Sequence, residues 1–154
     1  MVARSSKGSL PDAKGVVAQA LALSDRAAPL AHTDAEVWEE ASTALRAAAD
    51  PEGPPQSRGA LEQALDQAAA IPLEVAELGA DVAALAAVVA ERCEPGYRAD
   101  AAAAVALAAG GARAAAHLVE VNLAMRSGDP RLERARSSEQ AAAESARRVL
   151  ASIR

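Results

Sequence analysis

Residues 61–89 read LEQALDQAAAIPLEVAELGADVAALAAVV, and the spacing of their apolar side chains decides the fold. Leu61, Leu65, Ala68, Ile71, Val75, Leu78, Val82, Leu85 and Val89 follow one another at steps of three and four. That is the period of an α-helix turning one apolar stripe toward neighbours that run nearly parallel to it. No segment of the chain shows the strict period of two that a half-buried strand requires.

The same period recurs on either side. A first helix is expected from about Asp12 to Ala49, with Val16, Ala20, Leu23, Ala27, Leu30, Asp34, Val37, Ala41 and Leu45 along its seam and Pro11 in its first turn. Asp50-Pro51-Glu52-Gly53-Pro54-Pro55 ends it. The second helix runs from about Ser57 to Cys93 and stops at the turn Glu94-Pro95-Gly96-Tyr97. A third covers about Asp100 to Arg126, with Val105, Ala108, Ala112, Ala115, Val119 and Asn122 in register. Ser127-Gly128-Asp129-Pro130 then supplies a turn, an N-cap and a first-turn proline for a fourth helix ending near Ile153. Pro29 and Pro72 fall inside the first two helices and should kink each or split it in two.

Composition agrees with this pattern. Of 154 residues 45 are alanine, Phe is absent, and Trp38 and Tyr97 are the only aromatics. Alanine has the highest helix propensity, and methyl-sized side chains force helices together because they cannot fill wide gaps. The expected fold is therefore all-α: an elongated bundle of about four long, Pro-kinked, Ala-rich helices. One domain spans 1–154, with residues 1–10 flexible. Small-residue seams on long helices need more packing partners than four helices of one chain provide, so a homodimer is expected. The net charge of −5, with no basic cluster among aromatics, argues against nucleic acid. A lone Cys93 fits a reducing compartment, no signal peptide is visible at Met1–Gly8, and charges interrupt the Ala-rich stretches. The chain is expected to be soluble and cytoplasmic, with no membrane partner.

Two polar residues intrude on the seams, Asp34 and Asn122. An unpaired carboxylate on an apolar seam costs several kcal/mol, so Asp34 must be partnered, partly solvated in a cleft, or functional. A carboxyl whose pKa is raised by burial suits general acid/base work. The alternative is that Thr33 or Asp34 caps a helix restarted after Pro29. Asn122 is either a register device or a binding residue. Asp100 caps or charges the first turn of the third helix. The pair Gly110-Gly111 in a helix implies a close approach by another helix or a ligand. His117 and Glu120 lie three apart but lack a second such pair, so no metal site is expected.

Taken together, several strings resemble the formiminotetrahydrofolate cyclodeaminase and methenyltetrahydrofolate cyclohydrolase family. Leu30-Ala31-His32-Thr33-Asp34-Ala35-Glu36-Val37-Trp38 is similar to its "Leu-Ala-x-x-Asp-Ala-x-Ala-aromatic" string. Arg58-Gly59-Ala60-Leu61-Glu62-Gln63-Ala64 through Ala70-Ile71-Pro72-Leu73 resembles its "Arg … Ala-Ile-Gln-x-Ala … Val-Pro-Leu" run. Ala99-Asp100-Ala101 and Leu118-Val119-Glu120-Val121-Asn122-Leu123 stand where the family has "Ser-Asp-Ala" and "Asn-Val-x-Ile-Asn-Leu". The family's opening helix, led by "Pro-Gly-Gly-Gly-Ser", has no counterpart here, and Met1-Val2-Ala3-Arg4 resembles the end of that helix. The resemblance implies a tetrahydrofolate derivative as substrate, no tightly bound cofactor, and a homodimer. It also implies Asp34 as the catalytic acid/base, with Arg58, Asp100 and Asn122 binding substrate.

Overall fold

The computed structural model describes residues 1–5, 10, 12–50, 54, 57–124 and 126–152, with Ser57 and Arg58 described by their backbone alone. Every regular element among the described residues is helical. They are α1 (Val2–Ser5), α2 (Ala13–Ala27), α3 (Leu30–Ala49), α4 (Ser57–Ala68), α5 (Ala70–Arg92), a 3₁₀ turn (Pro95–Tyr97), α6 (Arg98–Asn122) and α7 (Pro130–Ala151). The four expected rods are present, and each of the two carrying an internal proline is split: α2 from α3 at Ala28-Pro29, α4 from α5 at Ala69.

The caps follow from local chemistry. Asp12 adopts φ 54°, a left-handed conformation that Asp tolerates, and its carboxylate accepts the Gly15 N–H at 3.1 Å. Pro11 lies outside the described residues. Asp129 caps α7 by accepting the Arg131 N–H at 2.9 Å, with Pro130 first in the helix as expected. Asp100 sits in the first turn of α6, where a negative charge suits the helix dipole, and makes no capping bond. At the N-terminus, Val2 and Ala3 of α1 pack against the core, and Leu10 is buried.

The core is a three-helix layer of α5, α6 and α7, and its seams are built of the smallest side chains available. On α6, Val105, Ala112, Ala115 and Val119 are buried, as the spacing predicts. On α7, Ala135, Ala142, Ser145 and Val149 face inward. On α5 the structure corrects part of the expected seam. Ala68, Leu78 and Val89 of that seam are buried, but Ile71, Val75, Val82 and Leu85 are only half-buried, and the rest of the inner face is Ala69, Leu73, Ala76, Ala83, Ala87 and Ala90. Closest contact falls at Gly79, where a β-carbon would lie 2.9 Å from the Ala112 Cβ and 3.1 Å from the Ala108 carbonyl oxygen. No such contact exists at Gly110 or Gly111, where an added β-carbon would meet nothing within 4 Å. The close approach expected at that pair is thus made by Gly79 instead. The stretch Pro95–Asn122 is also long and apolar enough to cross a membrane, in spite of Arg113. Its helix packs on α5 and α7 with about a third of that apolar window buried.

The break at Ala69 has an explicit hydrogen-bond account. Pro72 has no N–H to offer the Ala68 carbonyl four residues earlier. That carbonyl instead accepts from Asn122 Nδ2 at 2.9 Å, while the ladder resumes with Leu73 N–H to Ala69 O at 3.2 Å. Asn122 therefore repairs a proline defect in a neighbouring helix.

Two stability predictions follow from this packing. Gly79→Ala gains about 1 kcal/mol of helix propensity but overpacks the α5–α6 contact at a cost of roughly 1–3 kcal/mol. Its urea midpoint should fall at unchanged slope, while that of Gly110→Ala rises. Asn122→Leu should cost about 1–3 kcal/mol by orphaning the Ala68 carbonyl. In a Pro72→Ala background, which restores a donor at position 72, the same change should cost less by about 1 kcal/mol.

Candidate functional site

The arrangement of α2 and α3 leaves an apolar groove between them and the α5–α6 face. Helices α3 and α4 pack chiefly on each other and project as a two-helix arm, joined to the rest at the Pro29 and Ala69 breaks. At the foot of the arm the groove encloses about 490 Å³, lined by Leu30, Ile71, Pro72, Val75, Gly111 and Leu118 among others. Asp34 is the one ionisable side chain among its lining residues. A second hollow of about 390 Å³ continues from it past Ala27 and Val82, which line both, toward Val16, Leu23 and Leu85. Its one ionisable side chain is Asp100, and Met1 with its terminal amine lines it as well.

Ile71, Val75, Val82 and Leu85 of α5, half-buried beside the core, form the floor of these hollows. An apolar trough with one carboxylate can hold a flat, largely apolar molecule and present a single proton donor or acceptor to it.

The structure corrects the expectation for Asp34. Its side chain is exposed rather than buried on a seam. It does not cap α3 either, since the helix begins at Leu30 and Pro29 occupies the cap position. The nearby Thr33 hydroxyl donates to the Pro29 carbonyl at 3.3 Å. Asp34 is a second-turn helix residue on the rim of the groove.

The other three candidates do not join it within one chain. Asp100 stands in the adjoining hollow, eleven residues and roughly 16 Å along α6 from Gly111 at 1.5 Å per residue. Asn122 is committed to the Ala68 carbonyl. Arg58 lies in the first turn of α4, toward the tip of the arm, and its side chain is outside the described residues. Glu120 is held by Arg136 at 2.9 Å rather than paired with His117. Among the described residues no three His, Cys, Asp or Glu side chains are grouped to hold a metal.

A polar cluster that sequence spacing did not single out lies beneath the arm. Arg131 donates to the Asp66 carbonyl at 3.1 Å and to the Asp66 carboxylate, which Arg126 also approaches at 3.1 Å. Asp129 orients Arg131 through contacts of 3.0 and 2.7 Å. Hydrogen bonds from the Arg131 side chain and backbone hold the Asp129 carboxyl at about 2, well below the usual carboxylate range. The same two carboxylates raise the guanidinium further above its ordinary value. The one sequence signal was Asp129-Pro130 as a helix start; the 65-residue separation of Asp66 from Arg131 hid the rest.

The strings that carried the family resemblance occupy defined places in this architecture. Leu30–Trp38 opens the arm along the groove, Ala99-Asp100 opens α6, and Leu118–Leu123 closes it. No curated protein matches the chain. Residues 2–143 match the family described as formiminotransferase-cyclodeaminase, and with that match covering nearly its whole length, the chain belongs to the formiminotransferase-cyclodeaminase family.

Proposed function

We propose that the protein catalyses a folate one-carbon step in the cytoplasm. The step is either closure of a formimino group onto the neighbouring nitrogen with loss of ammonia, or hydrolysis of a methenyl bridge. Both need proton transfer at a carbon that bridges two nitrogens. The observation that carries the reading is Asp34, the lone ionisable residue lining an apolar groove of about 490 Å³. The groove would take the pterin body of a tetrahydrofolate derivative, and the carboxyl would donate to the departing amine or activate water. Asp100 in the adjoining hollow and Arg58 on the arm are the groups proposed to meet the substrate's polar ends.

The site is proposed to be completed by a second copy. The chain exposes 9369 Å², well above the ~7,200 Å² expected of a compact chain of this mass. Much of the outward face of α6 is apolar: Leu107 is 78% exposed, Val121 54% and Leu118 49%. Gly110 and Gly111 lie open on the same helix. A second copy on this face would roof the groove and shield Asp34 from water. The exposure of Asp34 in the single chain favours one alternative, a family member that binds folate or a partner without turnover.

Absorbance after adding 5-formiminotetrahydrofolate or 5,10-methenyltetrahydrofolate distinguishes the two readings. Turnover is expected with one of them, and Asp34→Asn should lower it by about 10²-fold or more. An unchanged rate in that variant would remove Asp34 from the chemistry, and tight binding without turnover would leave the non-catalytic reading. Light scattering should give the mass of two chains. Leu107→Glu, which changes a side chain outside the core, should give the mass of one with helicity retained.

A further inference from the structure

The arm meets the rest of the molecule through little besides its foot. Leu30 and Ala41 are its buried residues on α3, and farther out Trp38 and Leu45 are about half exposed. Both chain connections at the foot are proline breaks, which lack the continuous backbone ladder that makes a helix stiff. The Pro29 and Pro72 breaks lie close together in space, since Leu30 and Pro72 line the same groove. Two adjacent interrupted connections leave the arm's tilt to side-chain contacts.

Those contacts converge on the last turn of α4. Asn122 takes the Ala68 carbonyl, Arg131 takes the Asp66 carbonyl and carboxylate together, and Arg126 reaches the same carboxylate. Arg131 is only 22% exposed and Asp66 33%, so the guanidinium of this cluster is drier than those of the α5–α7 pairs Arg134–Glu77 and Arg148–Glu91. Those outer pairs also join helices already packed through their alanine seams. Ion pairs of that exposure contribute about 0–1 kcal/mol each. A fork that grips a backbone carbonyl and a carboxylate at once fixes direction as well as distance.

We infer that Asp66 and Arg131 are positioning residues for the groove. They latch the foot of α4, so the tilt of the arm, and with it the place of Asp34 on the paired helix α3, is set from the α6–α7 end of the molecule. The part of this inference that concerns activity rests on the folate reading; the latch itself does not.

Hydrogen exchange followed by mass spectrometry on the full chain tests the latch without any substrate. Asp66→Asn keeps the side-chain shape and removes the charge; Arg131→Lys keeps the charge and removes the fork. Both should speed exchange in peptides from 30–68 by tenfold or more, leave α5, α6 and α7 unchanged, and lower the fluorescence anisotropy of Trp38. With turnover established for the parent chain, kcat should fall about tenfold or more, as expected for a misplaced reacting group, with KM changing less. Arg148→Gln, which breaks an α5–α7 pair, should change none of these. Unchanged exchange in the arm would overturn the latch, and so would exchange that rises equally in α5–α7. Faster arm exchange with kcat intact would overturn the positioning role. A parent chain with no turnover would remove the folate reading and leave the exchange result to decide the latch.

Discussion

Alanine cannot reach across a gap, and that constraint governs the rest of the molecule. Three helices whose inner faces are mostly alanine, with a few Val and Leu among them, gain contact by bringing their axes toward the short end of the usual 8–10 Å range. Gly79 against Ala112 marks the limit of that approach. Once α5 commits its alanine stripe to α6 and α7, its Ile71, Val75, Val82 and Leu85 must face elsewhere. They form the floor on which α2 and α3 lie. Since α2 contributes no fully buried residue, this second layer is loose, and the hollows are the result. The groove is thus a by-product of how the core is packed, and its apolar character follows from the same cause.

The prolines turn that loose layer into an arm. Each interrupts a rod at the level of the groove, and each leaves a carbonyl without its helical donor. The chain satisfies Ala68 with Asn122, whose amide comes from a residue 54 positions away. A buried polar group left unpaired costs about 1–3 kcal/mol, so the repair ties the bend of one helix to the end of another. Asp66 and Arg131 strengthen the tie one turn farther along. The arm, the bend and the groove are therefore mechanically one feature, and the carboxylate on the groove's rim belongs to it.

Much of this was legible in the sequence, and the parts that were not share a reason. Helix positions, the two proline breaks, the α7 cap and the α6 seam all depend on residues within a few turns of one another. The inner face of α5 was read only in part, Leu78 and Val89 but not its alanines, because two stripes of the same period run along it. Leu, Ile and Val weigh more in any reading of hydrophobic pattern than alanine, yet the small stripe won because it permits the closer contact. Gly79 and Gly110-Gly111 show the same limit, since a helical glycine signals proximity without saying to what. Spacing put Asp34 on a buried seam, and it does not reveal that the layer opens at that level and leaves the side chain exposed. Asn122 and Asp66 take their meaning from partners tens of residues away.

The exposure of Asp34 bears on how such a site can work. General acid/base work by a carboxyl group is sensitive to how much water surrounds it. The fold of one chain supplies the groove and the carboxylate without the exclusion of water. A planar ligand lying on Ile71, Val75 and Leu118 would displace water from the apolar floor and from the groove side of Asp34 in the same event. A second chain over the open face of α6 would close the outer side. Both closures would draw on apolar surface that the single chain leaves open. An open rim of this kind spares the free protein a buried, unpaired carboxylate, whose cost would be several kcal/mol.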